Sequence, residues 1–308
     1  MAGLRSVTMR QLQIFSSAAR QLNFSRTSEE LHLTQPAVSM QIKQLEESAG
    51  LPLFERIGKR LFLTAAGTEL YRYAQQVLGA IKDAEEILGA MKGLEGGRLT
   101  IGVVSTAKYF APKLLAMFNE RHPKLELKLQ VNNRETVIQM LSSNEIDIAV
   151  MGTASSQLDT VAEPFARHPL VVIAHPGHPL AHRKRIPLSA LEKETFIVRE
   201  PGSGTRSAME RFMSERGINI RVGMEISSNE TIKQAVMAGM GVSFISQHTI
   251  GLELATEQLV MLRVEGLPVM RQWCVVHLAS KRLSPAADTF RRFMLKEGAE
   301  LLRLWPQG

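Results

Sequence analysis

From Asn23 to Lys43 the sequence NFSRTSEELHLTQPAVSMQIK places its apolar residues at helical spacing, broken once by a polar turn. Leu31, Leu33, Val38, Ile42 and Leu45 share one face, and Ala37 is small where two helices must approach. The spacing predicts a helix over 25–31, a turn at His32-Leu33-Thr34 and a second helix from Gln35 into Gln44. Residues 51–56 and 61–64 read as two short strands around Ile57-Gly58-Lys59-Arg60, a glycine turn with a basic tip. From Thr64 to about Lys92 there is no proline, and Leu70, Ala74, Val77, Ile81, Ala84, Leu88 and Met91 alternate spacings of four and three. That is a heptad seam, which must be buried against the chain's own domain or against the same helix of a second subunit. Such a helix is about 42 Å long at 1.5 Å per residue, and Gly93-Leu94-Glu95-Gly96-Gly97 ends it.

Beyond Arg98 the pattern changes to strands alternating with helices. Strands are expected at 99–104, 125–131, 146–151, 170–174, 196–199, 242–245, 259–264 and 274–278. Helices are expected at 109–121, 136–143, 206–216 and 231–238, and the stretch from Leu301 to Trp305 closes a terminal amphipathic helix. This is the grammar of an α/β fold with largely parallel sheets. Proline-bearing segments at 162–167 and 265–268 interrupt it. If the chain crosses between subdomains there, one comprises about 98–164 and 268–304, the other about 165–267.

Composition narrows the function. With 308 residues, 44% hydrophobic and 22% charged, the chain reads as a globular protein of two or three domains. No apolar run approaches 20 residues and no signal-peptide pattern opens the chain, so no membrane association is expected. The single Cys274 lies in an apolar run, reads as a packed thiol and fits a reducing cytoplasm. A net charge of +7 favours an anionic partner, yet residues 1–63 hold only eight Lys and Arg against five Asp and Glu. Local arrangement therefore argues for DNA better than bulk charge does. The outward face of the second helix is Gln35, Pro36, Ser39, Met40, Lys43 and Gln44, a surface able to meet base edges with few carboxylates to repel phosphate. Arg56, Lys59 and Arg60 would sit against the phosphate backbone. With Ser25, Arg26 and Thr34 these are the candidate DNA-binding residues; the plain alternative is an ordinary helical hairpin with a wet side.

The motifs RQLQIF, FSRTSEELHLTQPAVSMQIKQLE, LFER and LTAAG closely resemble the LysR-type transcriptional regulators. The resemblance implies a winged helix-turn-helix over 1–64 and a linker helix over 65–93 that pairs antiparallel with a second copy. It also implies an α/β effector domain over 98–304, like periplasmic binding proteins, made of two Rossmann-like subdomains with the ligand between them. The partners it implies are a double-stranded DNA operator, RNA polymerase, a small-molecule effector and further copies of the chain, usually as a dimer of dimers.

Four strand-to-helix junctions share one chemistry: Val104-Ser105-Thr106-Ala107, Asn132-Asn133-Arg134-Glu135-Thr136, Pro201-Gly202-Ser203-Gly204-Thr205-Arg206 and Ser227-Ser228-Asn229-Glu230-Thr231. In open α/β sheets ligands bind at such junctions, and free N–H groups at helix N-termini suit carboxylates and phosphates. The alternative at each is plain capping, since Asn132 with Glu135 and Ser227 with Glu230 match capping boxes. Together, with Arg134 and Arg206 at two of them, they point to an anion site. Thr205 and Arg206 are the first candidate contacts, with Ser203 in the same loop. Ser105, Thr106, Asn133, Arg134 and Thr136 follow, then Asn229 and Thr231. The loop lacks the lysine and hydroxyl residue of a P-loop, so nucleotide hydrolysis is not indicated. His175, His178 and His182 have metal-compatible spacing but no nearby Cys or carboxylate, and no catalytic grouping can be placed, so neither metal, cofactor nor enzymatic activity is expected. The segments GVVSTAKYFAP, NNRETV, VREPGSGTRSAMERF, SSNETIKQAVMAGMGVSFIS and KRLSPAA resemble the LysR-type activators of Calvin-cycle (Rubisco) operons. That implies a phosphorylated or nucleotide effector. A regulator of another metabolic operon, or a solute-binding or enzymatic α/β protein with a dimerising N-terminus, stays open on sequence alone.

Overall fold

The computed structural model describes residues 4–91, 96–152 and 158–303, and it divides into two units, Met1–Gly93 with Ser142–Glu145 and Leu94–Leu141 with Ile146–Gly308. The expectations for the Met91 side chain, for linker residues 93–95 and for Leu304 and Trp305 lie outside the described residues.

In the first unit short polar side chains set the helix ends. Thr8 caps α1 (Met9–Gln21) in a capping box with Gln11. Asn23 accepts from the backbone N–H groups of Ser25 and Arg26 at the start of α2 (Phe24–Leu31). Thr34 accepts from Ala37 at the start of α3 (Gln35–Ala49), with Pro36 in the first turn. Between them His32 adopts the left-handed conformation at φ 52°, and the Leu33 N–H reaches back to the Ser28 carbonyl. This Schellman-type stop gives the turn its shape. α3 runs past the expected Gln44 to Gly50, where φ is 72°. Val38, Ile42 and Leu45 of α3 are buried with Ile14, Phe15 and Ala18 of α1, and Leu31 and Leu33 pack at the margin. The hairpin of β1 (Phe54–Ile57) and β2 (Arg60–Leu63) pairs with Ile57 opposite Arg60. Phe54 packs edge-on to Phe15 and Phe24, with ring centroids at 5.7 and 5.3 Å. Glu46 of α3 accepts the N–H groups of Leu53 and Phe54 at 2.8 and 3.2 Å. The hairpin is thus held to α3 by both apolar packing and hydrogen bonds.

α4 (Ala65–Met91) starts where Thr64 caps the Gly67 N–H at 2.9 Å and donates to the Pro52 carbonyl at 2.7 Å. A Cβ on residue 67 would lie 2.0 Å from the Leu53 carbonyl oxygen, so backbone must move to admit one. Gly67→Ala is expected to cost about 1–3 kcal/mol, as overpacking does. An unchanged urea midpoint for unfolding of the first unit would rule out the close approach of α4 to the hairpin. Of the seam, Leu70 and Ala74 join the core, whereas Val77, Ile81 and Leu88 are 44%, 47% and 57% exposed. Of the six seam residues described, the first two are covered by the first unit's own core and the four from Val77 to Leu88 are bare.

The second unit has two lobes. In the first, β3 (Gly97–Val104) lies between parallel neighbours β4 (Leu125–Asn132) and β5 (Ile148–Met151), with α5 (Ala111–Arg121) and α6 (Arg134–Ser142) as crossovers. β6 (Thr160–Ala174) then leads into the second lobe, where β7 (Thr195–Arg199), α7 (Gly204–Ser214), β8 (Arg221–Ile226), α8 (Asn229–Met237) and β9 (Ser243–Ser246) repeat the grammar. β7 and β8 pair in parallel, and β7 bridges towards β9 through Phe196 and Val242. α9 (Gly251–Ala255) and the short β10 (Val260–Met261) follow; β11 (Val269–Leu278) returns antiparallel to β6, and α10 (Pro285–Arg303) packs Phe290 and Met294 into the first core. Buried Leu170, Phe196, Phe212 and Phe244 form a core on one side of the second lobe's strands, and Val171, Ile197, Ile232 and Ile245 one on the other.

The expected break at 162–167 does not occur. β6 is one strand of 15 residues whose register slips beside Phe165, so that Ala166 faces Trp273 and Pro164 faces Cys274. A bulge absorbs one extra residue and bends the strand, which lets a proline-bearing segment pass between lobes without leaving the sheet.

Candidate nucleic-acid interface and anion cleft

Capping and packing leave one face of the first unit polar. Ser25 and Arg26 are exposed at the start of α2; Gln35, Pro36, Met40 and Lys43 are exposed along α3, with Ser39 half-buried and accepting from Gln35 at 2.8 Å. Thr34 is exposed, but its hydroxyl is engaged in capping. Arg56, Lys59 and Arg60 stand exposed on the hairpin. Among the described residues no carboxylate pairs with Arg26, Lys43, Arg56, Lys59 or Arg60. A groove of about 460 Å³ brings Ser25 and Gln35 together with Arg56, Lys59, Arg60 and Phe62. Hydrogen-bonding groups at the start of a helix, flanked by unpaired cations on a hairpin, can meet base edges and phosphates at once.

In the second unit the lobes close on a small polar cleft with about 20 Å³ of free space, room for about one water. Its basic wall is Arg134 at the start of α6, Arg199 at the end of β7 and Arg271 in β11. Arg199 is 3% exposed and fully engaged: it meets Glu200 through Nε and Nη2 at 2.7 and 2.9 Å, Asn229 Oδ1 through Nη1 at 2.7 Å and Ser105 Oγ through Nη2 at 2.9 Å. Arg271 donates from Nη1 to the Gly204 carbonyl at 2.9 Å. Burial, then the charges of Arg211 and Arg134, bring its guanidinium down to about 10, and burial also lowers Arg134. Two desolvated cations at one end of a cleft favour an anion between them.

Opposite them the Pro201–Arg206 loop presents buried Ser203 and Thr205 at the start of α7, and Ser203 makes no side-chain cap bond. Gly202 takes φ 81°, and a Cβ on Gly204 would lie 3.0 Å from Arg134 Cδ, so the two glycines permit the approach. Ser105 and Thr106, in the turn that follows β3, stand in the same lining with Asn133. His168 also lines the cleft, its ring stacked on Trp273 at 3.8 Å and 15°. Burial, helped by the charge of Arg271, holds it well below the usual histidine range, and burial lowers neighbouring His248 to about 4.

Seven of the ten candidate effector residues therefore belong to one cleft: Ser105, Thr106, Asn133, Arg134, Ser203 and Thr205 line it together, and Asn229 stands one step behind, bonding Arg199 and the Ser105 carbonyl. Three do not. Arg206 turns away to Glu210 at 2.8 Å and to Glu225, touching the cleft only through the Arg199 carbonyl at 3.0 Å. Thr136 offers its N–H to the Asn133 cap at 3.0 Å, and exposed Thr231 likewise bonds the Ser228 hydroxyl at 3.3 Å. The caps are thus Asn133 and Ser228, one position later than Asn132 and Ser227. Arg199, Arg271 and His168 are absent from the sequence candidates. Arg199 ends a strand directly ahead of the glycine loop, which is the signal that could have found it; Arg271 and His168 are polar residues inside apolar strands.

Comparison with known proteins follows the same division. Residues 9–68 match the family model described as "Bacterial regulatory helix-turn-helix protein, lysR family", and residues 92–299 match "LysR substrate binding domain". The RuBisCO operon transcriptional regulator of Allochromatium vinosum is 52% identical over 295 residues, covering 96% of this chain and 98% of that protein. The regulatory domain of Synechocystis PCC6803 CcmR, solved in complex with 2-PG, is 42% identical and superposes with a TM-score of 0.63 over 65% of this chain and 96% of that one. A full-length OxyR variant from Pseudomonas aeruginosa is 22% identical but shares the fold, with a TM-score of 0.73 over 98% and 97% of the two chains.

Proposed function

The chain belongs to the LysR family of transcriptional regulators, and from that premise we propose that it activates a carbon-fixation (Rubisco) operon when a small phosphorylated anion occupies its cleft. It works in the cytoplasm on double-stranded DNA, as a homo-oligomer, and performs no chemistry of its own. The observation that carries the effector reading is the convergence of Arg134, Arg199 and Arg271 on the hydroxyl-rich start of α7. The likeness to the 2-PG-bound regulatory domain and to a RuBisCO operon regulator supports it.

α3 enters the major groove with Gln35, Pro36, Ser39, Met40 and Lys43, while Arg56, Lys59 and Arg60 grip the flanking backbone. A second copy joined through the bare half of α4 reads a second half-site, and a dimer of dimers contacts RNA polymerase beside it. The free space in the cleft holds about one water, so a larger anion must loosen contacts between lobes, such as Arg199 with Ser105. Effector binding and lobe geometry are therefore coupled, provided the anion prefers one lobe arrangement over the other.

Footprinting and gel shifts on the chain's own operator, with and without 2-PG, test this reading. A DNA footprint that ignores 2-PG and every other phosphorylated metabolite would overturn it. Lys59→Ala and Arg60→Ala are each expected to weaken binding evenly across sequences and to reduce the slope of log affinity against log salt by about 1. A change in sequence preference instead would place these side chains on bases.

A further inference from the structure

His168 is 3% exposed and lies in the cleft lining beside Arg271 and Arg199. Its Nε2 is 3.0 Å from Ser246 Oγ, and Ser246 is fully buried in β9. His168 is the only side-chain partner of that hydroxyl among the described residues. Were Nε2 to carry the proton, the Ser246 hydroxyl hydrogen would be buried with no acceptor. The hydroxyl therefore donates to Nε2, and the ring proton sits on Nδ1. Nδ1 is buried and has no hydrogen-bond partner among the described residues. The stack on Trp273 fixes the ring plane, and turning the ring over within that plane would give up the Ser246 hydrogen bond. A buried N–H left without an acceptor is costly, and native structures rarely keep one without a reason.

We propose that His168 is a ligand contact of the cleft, its Nδ1–H donating to an oxygen of the bound anion, so that the site selects a ligand presenting a deprotonated oxyanion oxygen at that point. The inference rests on the cleft being an anion site and adds what the arginines do not supply. Guanidinium groups attract negative charge in general, whereas a single N–H with no lone pair rejects a P–OH or other donor aimed at it. Burial and the Arg271 charge keep the ring neutral, so the donor is present without adding a further positive charge to the cleft. Selection of this kind works by leaving the wrong ligand's group unpaired.

Calorimetric titration of the full-length protein with 2-PG tests it through two variants. In His168→Asn the amide nitrogen can take the place of the donating Nδ1, while in His168→Gln the amide oxygen takes the place of the accepting Nε2 and keeps only the Ser246 contact. His168→Asn is expected to bind 2-PG within about threefold of wild type, and His168→Gln about 10- to 100-fold more weakly, the range of a hydrogen bond to a charged acceptor. Thermal melts establish that both variants fold. Equal binding by His168→Gln and wild type overturns the proposal, as does an equal loss in both variants, which would mark His168 as packing. Failure of the wild type to bind 2-PG, inorganic phosphate or any other small anion overturns the anion-site reading and the proposal with it.

Discussion

Arg199→Met is expected to lower 2-PG affinity at least about 100-fold and to destabilise the second unit by about 3–5 kcal/mol, as removing one partner of a buried ion pair does. The side chain is nearly inaccessible and makes four polar contacts, two to Glu200, one to Asn229 and one to Ser105. Methionine fills the volume but leaves the Glu200 carboxylate, 18% exposed, without its cation, and strands the Asn229 oxygen in a buried site. For a unit of this size the loss corresponds to a thermal midpoint lower by about 10 °C. Arg199→Lys keeps the charge and loses the planar fork, so it should restore part of the stability and little of the effector affinity. A variant that binds 2-PG normally and melts at the wild-type temperature would remove Arg199 from both roles.

The second large effect lies in the first unit. Ile81→Glu combined with Leu88→Glu is expected to dissolve the pairing of α4 with its copy and to weaken binding to a two-half-site operator about 10²- to 10⁴-fold, the gain that linkage of two sites normally confers. The choice of positions follows burial. Leu70 and Ala74 pack on the first unit's own core, so changing them would damage the fold. Ile81 and Leu88 are about half exposed, continue the same heptad seam and belong to no hydrophobic core among the described residues. Sedimentation should show a species of at most half the wild-type mass, with helical content by circular dichroism unchanged. Retention of the wild-type mass would mean that the bare seam is not the interface.

What the sequence made legible is local. The spacing of Val38, Ile42 and Leu45 and the turn at His32-Leu33-Thr34 are properties of residues within a few positions of one another. They define α2 to within a residue and the start of α3, whereas α3 runs five residues beyond the expected Gln44 and β1 starts three residues later than expected. The seam on α4 and the alternation of strands and helices beyond Arg98 are legible for the same reason. β8 escaped notice because nearly all its side chains are exposed, which removes the alternation that marks a half-buried strand. β6 looked broken at its prolines because a bulge leaves no periodic trace in sequence.

The anion cleft was legible as a set of junctions but not as a set of side chains. Helix starts at 105–107, 133–136, 203–206 and 228–231 can be read from caps and glycines, yet spacing does not tell which way a helix is turned about its axis. Arg206 therefore looked like the obvious fork for an anion, while its rotation carries it to Glu210 and Glu225. The arginines that do face inward are placed by contacts between distant positions: Arg199 reaches Ser105 across 94 residues, and Arg271 reaches Gly204 across 67. By itself the sequence determined a winged helix-turn-helix, a long helix carrying a heptad seam and an α/β domain with anion-friendly helix starts, because each is written in local periodicity and turn chemistry. Only the tertiary structure decided which cations close on the cleft and that His168 joins them, because side-chain direction is set by packing between lobes that the chain visits far apart.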